Sequence, residues 1–131
     1  MDSARALFAN DAFYLAFAQR DLEAMDRLWA RRHPVACIHP GWATLHERAA
    51  VMESWSGILA NPDAPMVTVD HARALGFGDT VLVTCYERIG DQALAASNLF
   101  VLEDGEARLV HHQASPCAEP PAPELSGPAL Q

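Results

Sequence analysis

The chain has 131 residues, half of them apolar and a fifth charged, the make-up of one globular domain able to bury about two-thirds of its extended surface. Its net charge is −8, and its nine basic side chains are scattered apart from the pair Arg31-Arg32. Nucleic acid is thereby disfavoured, since phosphate binding draws on clustered Lys and Arg; no apolar run approaches bilayer-spanning length, so no membrane partner is expected either.

Met1 to Arg5 is followed soon by Asn10-Asp11, which leaves no room for a secretory apolar region. Cys37, Cys85 and Cys117 form an odd set without a CxxC spacing, so a cytoplasmic protein with reduced thiols is expected. From Ser3 to Gln19, Leu7, Phe8, Phe13, Tyr14, Leu15 and Phe17 make a helix with a wide apolar face, capped by Asp2 or Ser3. Asp21 is placed to cap a second helix, in which Leu22, Met25, Leu28 and Trp29 form a core-facing stripe until Pro34 stops it. Val35 to Ile38 is a short strand. It runs into His39-Pro40-Gly41-Trp42, a turn that presents a histidine and a tryptophan. Glu47 to Leu59 is a third helix, with Val51, Ser54 and Trp55 on one side and Asn61-Pro62 at its end.

Beyond that point the apolar period falls to two. Strands are predicted over 66–75, 81–88, 94–102 and 107–115, joined at Gly78-Asp79, Gly90-Asp91 and Asp104-Gly105. Helices followed by an antiparallel meander make an α+β domain over residues 1–116, and the prolines of 117–131 make an extended or disordered tail. Two-residue turns pair Ile89 with Gln92, Val83 with Asn98, Cys85 with Ala96, Phe100 with Leu109 and Asn98 with His111. One face then carries Cys85, Glu87, Asn98, Phe100 and His111, and the other carries Tyr86, Leu99, Val101, Val110 and His112; a single bulge would exchange them. The second face would be an exposed apolar patch, so a homodimer is expected through it.

The order helix, helix, strand, helix, curved meander resembles the nuclear transport factor 2-like superfamily, the cone-shaped fold of ketosteroid isomerases and SnoaL-like polyketide cyclases. Leu28-Trp29, Val35 to Trp42, Val51 and Ser54-Trp55 are similar to a bacterial SnoaL-like group with an HPGW turn and a later SW pair. The final stretch, Asp104-Gly105 through Val110-His111-His112 to Ser115, resembles the last hairpin of that group and the association domain of calcium/calmodulin-dependent kinase. Over residues 4–116 the resemblance implies a cystatin-like fold, a curved antiparallel sheet with about three helices on its concave face. The ketosteroid isomerases' proton-shuttling aspartate before a proline is matched by His39 before Pro40. Their oxyanion tyrosine is matched by Phe13, with Tyr14 rotated about 100° from it. Their hydrogen-bond-donating carboxylic acid on the sheet has no clear match, so steroid isomerisation by that mechanism is not expected.

Two readings of function remain. The first is a domain binding a small apolar ligand among Phe13, Tyr14, Trp42, Trp55, Cys85, Glu87, Asn98 and Phe100. The second is a cofactor-free isomerase, cyclase or dehydratase of a polyketide- or steroid-like substrate, with His39 and His111 as proton carriers. Each residue has a plainer role beside these: Trp42 and Trp55 as core, Asn98 and His111 as a cross-strand bond, Glu87 as a solvated strand-end charge. Adjacent His111 and His112 point to opposite faces of a strand, so they cannot chelate one metal ion, and no metal site is expected.

Overall fold

In the computed structural model, which describes residues 1–124, Asp2 opens the first helix, α1 (Ser3–Ala18), by accepting a hydrogen bond from the Arg5 amide at 2.8 Å. The buried face of α1 is Ala6, Ala9, Asn10, Phe13, Tyr14 and Ala16, so one polar residue, Asn10, lies within an apolar stripe. Arg20 turns the chain with a φ of 55°, and its guanidinium donates to the carbonyls of Asn61 and Ala64, tying the end of α1 to the segment beyond the third helix. Asp21 caps α2 (Leu22–Leu28) through the Ala24 amide. β1 (Ala36–Ile38) follows, then α3 (Arg48–Ala60) with Val51, Ser54, Trp55 and Leu59 buried.

β2 (Thr68–Phe77), β3 (Thr80–Ile89), β4 (Gln92–Glu103) and β5 (Glu106–Pro116) form the predicted meander. Gly78, Gly90, Asp104 and Gly105 all take positive φ at its hairpins, the backbone that tight turns of this kind require. The order across the sheet is β1-β5-β4-β3-β2, and β1 runs parallel to β5. The meander is antiparallel as expected, but the whole sheet is mixed. Local periodicity carries no sign of this, because the parallel pair joins Ala36 to His111.

The hairpin registers follow the turn chemistry at Ile89 with Gln92, Cys85 with Ala96, Val83 with Asn98 and Phe100 with Leu109. The expected pairing of Asn98 with His111 is wrong: a bulge between Leu99 and Phe100 pairs Leu99 with His111 and Asn98 with His112. Val110 is the extra residue, and it shifts the rest of β5 by one. His112 therefore faces the helices beside Asn98, and His111 lies half-buried on the outer face beside Leu99. On that outer face Tyr86, Leu99 and Val101 are also only half-buried, whereas Val110, the extra residue of the bulge, is buried with the core.

Two further features hold the ends of the fold. Glu103, 5% exposed at the end of β4, accepts from the Arg31 and Arg32 amides at 2.9 and 2.8 Å and from His33 Nδ1 at 2.7 Å, which pins the α2–β1 connection to the sheet. The segment after β5 lies extended over β2: Arg88 donates to the Pro121 carbonyl, and Glu124 accepts from the His71 amide. The rest of the predicted tail, 125–131, lies outside the described residues. Among the described residues no helix is long and apolar enough to cross a membrane.

Candidate functional site

The polar residues of the inner face meet those of α1 in one closed arrangement. Helical spacing puts Asn10 and Tyr14 one turn apart on the buried side of α1, and strand alternation puts Cys85 and Glu87 inward on β3. β4 supplies Asn98, and β5 supplies His112 through its bulge. Asn98 Nδ2 donates to Asn10 Oδ1 at 2.8 Å and to the Tyr14 hydroxyl at 3.2 Å. Tyr14 in turn donates to Glu87 Oε2 at 2.7 Å. With its amide nitrogen so used, Asn98 offers Oδ1 as an acceptor, and His112 Nδ1 lies 2.6 Å from it. The His112 Nδ1 therefore carries the proton, and in the neutral ring Nε2 is left with a bare lone pair. That lone pair is 3.8 Å from Glu87 Oε2, so four side chains close a ring with one gap.

A second histidine sits beside this ring. The HPGW segment is a turn in which the Trp42 amide donates to the His39 carbonyl at 2.9 Å and Gly41 takes a φ of 83°, the positive value a type II turn demands after proline. The turn buries His39 against Trp55 and leaves Trp42, 50% exposed, edge-on to the His39 ring at 4.9 Å. Ser54 gives its hydroxyl proton to the Val51 carbonyl at 2.6 Å, so it accepts from His39 Nε2 at 2.9 Å. His39 thus carries its proton on Nε2. The two rings, with centres 6.4 Å apart, are held in opposite tautomers.

Burial works against charge on these groups. It lowers His39 to about 4, and with the neighbouring charges of His39 and His111 it lowers His112 to about 3. Burial lifts Tyr14 well above the usual phenol range, with Glu87 adding to the shift. It raises Glu87 as well, against the opposing bond from Tyr14, and pushes Cys85 up to about 11 and Cys37 to about 12. Glu87, 3% exposed, is therefore no solvated strand-end charge, because α1 closes over it.

Of the residues singled out from sequence, Phe13, Tyr14, Trp55, Cys85, Glu87, Asn98 and Phe100 all line this interior and His39 borders it. Trp42 stands at its edge, and His111 is outside it. Asn10, His112 and Cys37, whose sulfur lies 3.6 Å from His39 Nε2, were missed. Asn10 had a legible signal, a polar residue in register with Ala6, Phe13 and Tyr14 on the helix; His112 had none, since the bulge moves it. Phe13, Trp55 and Phe100 fill the space between α1 and the sheet. A groove of about 570 Å³ lies between α3 and the HPGW loop, and Ser54 is part of its lining. A larger cleft of about 910 Å³ lies at the far ends of β2 and β3, where Arg88 and Asp70 neutralise each other. Among the described residues no group of three or more His, Cys, Asp or Glu is gathered as metal ligands would be.

Residues 7–119 match the SnoaL-like domain. The chain belongs to the SnoaL-like family. This SnoaL-like domain is 30% identical to a candidate dehydratase of the nuclear transport factor 2-like family from Streptomyces avermitilis, with a TM-score of 0.78 over 88% of this chain and 96% of the other. It is 36% identical to a candidate association domain of calcium/calmodulin-dependent protein kinase type II from Thiobacillus denitrificans, with a TM-score of 0.70 over 83% and 92%. The F-box protein SKIP8 of Arabidopsis thaliana is 27% identical over 108 residues, 81% of this chain and 47% of its own length. The SnoaL-like domain therefore spans about half the length of that relative.

Proposed function

We propose that this SnoaL-like domain binds a small, neutral, largely apolar carbonyl or hydroxyl compound and moves a proton on it, as an isomerase or dehydratase does. The opposite tautomers of His39 and His112 carry this reading: one imidazole presents an N–H and the other a lone pair, with ring centres 6.4 Å apart. His112 Nε2 removes a proton from the carbon beside the carbonyl, and the His39 N–H, otherwise given to Ser54, bonds the oxygen on which charge develops. The proton returns from His112 to the substrate. His112 thus takes the role that the unbulged register assigned to His111. Likeness to the Streptomyces candidate dehydratase supports the chemistry.

Deuterium uptake by 1-tetralone in D2O tests the proposal, because exchange beside the carbonyl reports proton removal whatever the natural substrate is. The wild type is expected to accelerate exchange, and His112→Gln to lower that acceleration about 100-fold or more, the usual share of a general base. Equal acceleration by the variant would sink the role of His112. The close packing of Phe13, Trp55 and Phe100, together with the likeness to the Thiobacillus association domain, favours a second reading, a non-catalytic binding or association domain. It predicts a bound guest in native mass spectrometry with no exchange at all.

Pairing of two copies through the outer sheet face, over Tyr86, Leu99 and Val101, goes with either reading. A monomer in sedimentation at micromolar concentration would remove that part.

A further inference from the structure

We infer that Asp70, His71 and Arg88 form a peptide-binding cradle for an extended, proline-rich segment carrying a carboxylate, and that residues 120–124 of this chain are its resident, displaceable occupant. The inference stands apart from the proton-transfer reading. Asp70 pairs with Tyr86, and Arg88 lies two residues from Tyr86, which puts both on the outer face of the sheet. Beyond β5 the chain crosses β4, β3 and β2 in turn. The Cys117 amide donates to the Ala93 carbonyl at 3.0 Å, Arg88 donates to the Pro121 carbonyl at 2.8 Å, and His71 Nε2 donates to the Ala122 carbonyl at 2.7 Å. Glu124 closes the contact twice: its carboxylate accepts from the His71 amide at 2.9 Å, and its own amide donates to Asp70 Oδ2 at 3.2 Å.

The two sides match in kind. Pro120, Pro121 and Pro123 have no N–H, so the segment is rich in acceptors and short of donors. Against it stand the Arg88 guanidinium, the His71 ring and the His71 amide as donors, with Asp70 as the acceptor for the Glu124 amide. Apart from the Glu124 carboxylate, every group bonded to the cradle belongs to the segment's backbone. The cradle therefore reads an extended backbone and one acid, a mode of recognition suited to proline-rich chains.

The cradle is preformed and its occupant is loose. Arg88 lies 5.8 Å from the centre of the Tyr86 ring and meets Asp70 at 3.1–3.2 Å, with the two side chains only 16% and 13% exposed. His71 takes a φ of 55° inside the bulge between Asp70 and Arg73, which leaves it out of the β2–β3 pairing; a non-glycine residue holds that backbone only where its surroundings fix it. By contrast, residues 121–124 are exposed, and a cleft of about 910 Å³ lies between Pro120 and Pro123 on one side and Thr68 and Gln92 on the other. A segment held by exposed hydrogen bonds rather than buried apolar contact opens at little cost. A second copy would bring only the same segment untethered, so the partner is a different polypeptide of this chemistry.

The test adds the capped hexapeptide Glu-Pro-Pro-Ala-Pro-Glu, the sequence of 119–124, to the full chain and follows backbone amide shifts in NMR. Glu124→Pro removes both bonds of Glu124 and unseats the chain's own segment without altering the cradle. A tethered segment competes at an effective concentration on the order of millimolar. The hexapeptide is therefore expected to bind Glu124→Pro at least about tenfold more tightly than the wild type, with saturable shifts centred on His71 and Arg88. Ending the hexapeptide in glutamine should weaken it about threefold or more, since the charge-assisted bond to the His71 amide is lost. Adding His71→Gly to Glu124→Pro keeps the left-handed backbone and drops the ring, so the thermal midpoint should hold while hexapeptide binding falls about tenfold. No saturable shift at millimolar hexapeptide, shifts centred elsewhere, equal affinity of the wild type and Glu124→Pro, or binding indifferent to His71→Gly would each overturn the cradle. A wild-type dimer dispersed by the hexapeptide would overturn the choice of partner.

Discussion

Glu103→Gln is expected to lower stability by roughly 2–4 kcal/mol, since it replaces a buried carboxylate that accepts three charge-assisted hydrogen bonds, from the Arg31 and Arg32 amides and His33 Nδ1. Glutamine keeps one acceptor oxygen but turns its amide group toward donors, leaving at least one of them facing another N–H. The loss should depend on pH. Burial works against the charge on Glu103, but the Arg31 amide, the His33 ring and the Arg32 amide outweigh it and hold the carboxyl at about 2. A carboxyl lowered in the folded state contributes stability that is present above its unfolded value of 4.5 and lost as pH falls from there toward 2. The gap between wild type and Glu103→Gln should therefore be full at pH 7 and shrink below about 4.5. Urea unfolding of both proteins at pH 7, 5 and 3.5 measures it. A gap that stays constant would mean that the carboxylate's charge is not what pins the α2–β1 connection.

The wild type should also lose stability in mild acid, before Glu103 begins to protonate. His39 and His112 are neutral in the fold, held near 4 and 3 by burial, whereas in the unfolded chain each takes up a proton near the ordinary value of 6.5. Because the unfolded state binds protons first, acid favours it: stability is intact above about 6.5 and falls as pH drops below that. Each histidine contributes up to about 1.4 kcal/mol per pH unit, so His39 alone accounts for roughly 3 kcal/mol by pH 4. Glu87 has the opposite sign. Its raised value adds stability at the acid end that is lost as pH rises, and it softens the slope without reversing it, being one group against two. Thermal midpoints from pH 7 to pH 4 should drop steeply for the wild type and more shallowly for His39→Gln/His112→Gln. A flat wild-type profile would show that these rings are not held neutral, and would remove the tautomer argument with it.

Much of this molecule was legible because local chemistry decided it. Asp2 and Asp21 cap helices where sequence placed them, since an orphan amide needs an acceptor within a few residues. The hairpins at Gly90-Asp91 and Asp104-Gly105 set the β3–β4 register and the first part of β4–β5, because positive φ at Gly90, Asp104 and Gly105 admits few alternatives. The resemblance carried by the HPGW turn and the SW pair led to the right family for the same reason: type II turn geometry and helical spacing are local.

What lay beyond sequence came from partners distant in the chain. Leu109 is held on one side by β4 and on the other by Trp29 and Ala30, whose amide donates to the Leu109 carbonyl at 3.0 Å. Two residues on, β5 begins its parallel pairing with β1 at His111. Val110 is left over between these two sets of contacts, and it becomes the bulge that turns His112 inward and His111 outward. Glu87 tells the same story: alternation put it on the inner face, but only α1 closing over the sheet made it a buried, protonation-prone carboxyl bonded to Tyr14. The sequence by itself determined the elements, the turns, the family and the set of polar residues on one side of the sheet. The tertiary structure alone decided which histidine joins them and in which tautomer, since both follow from hydrogen bonds between residues 14 to 88 positions apart.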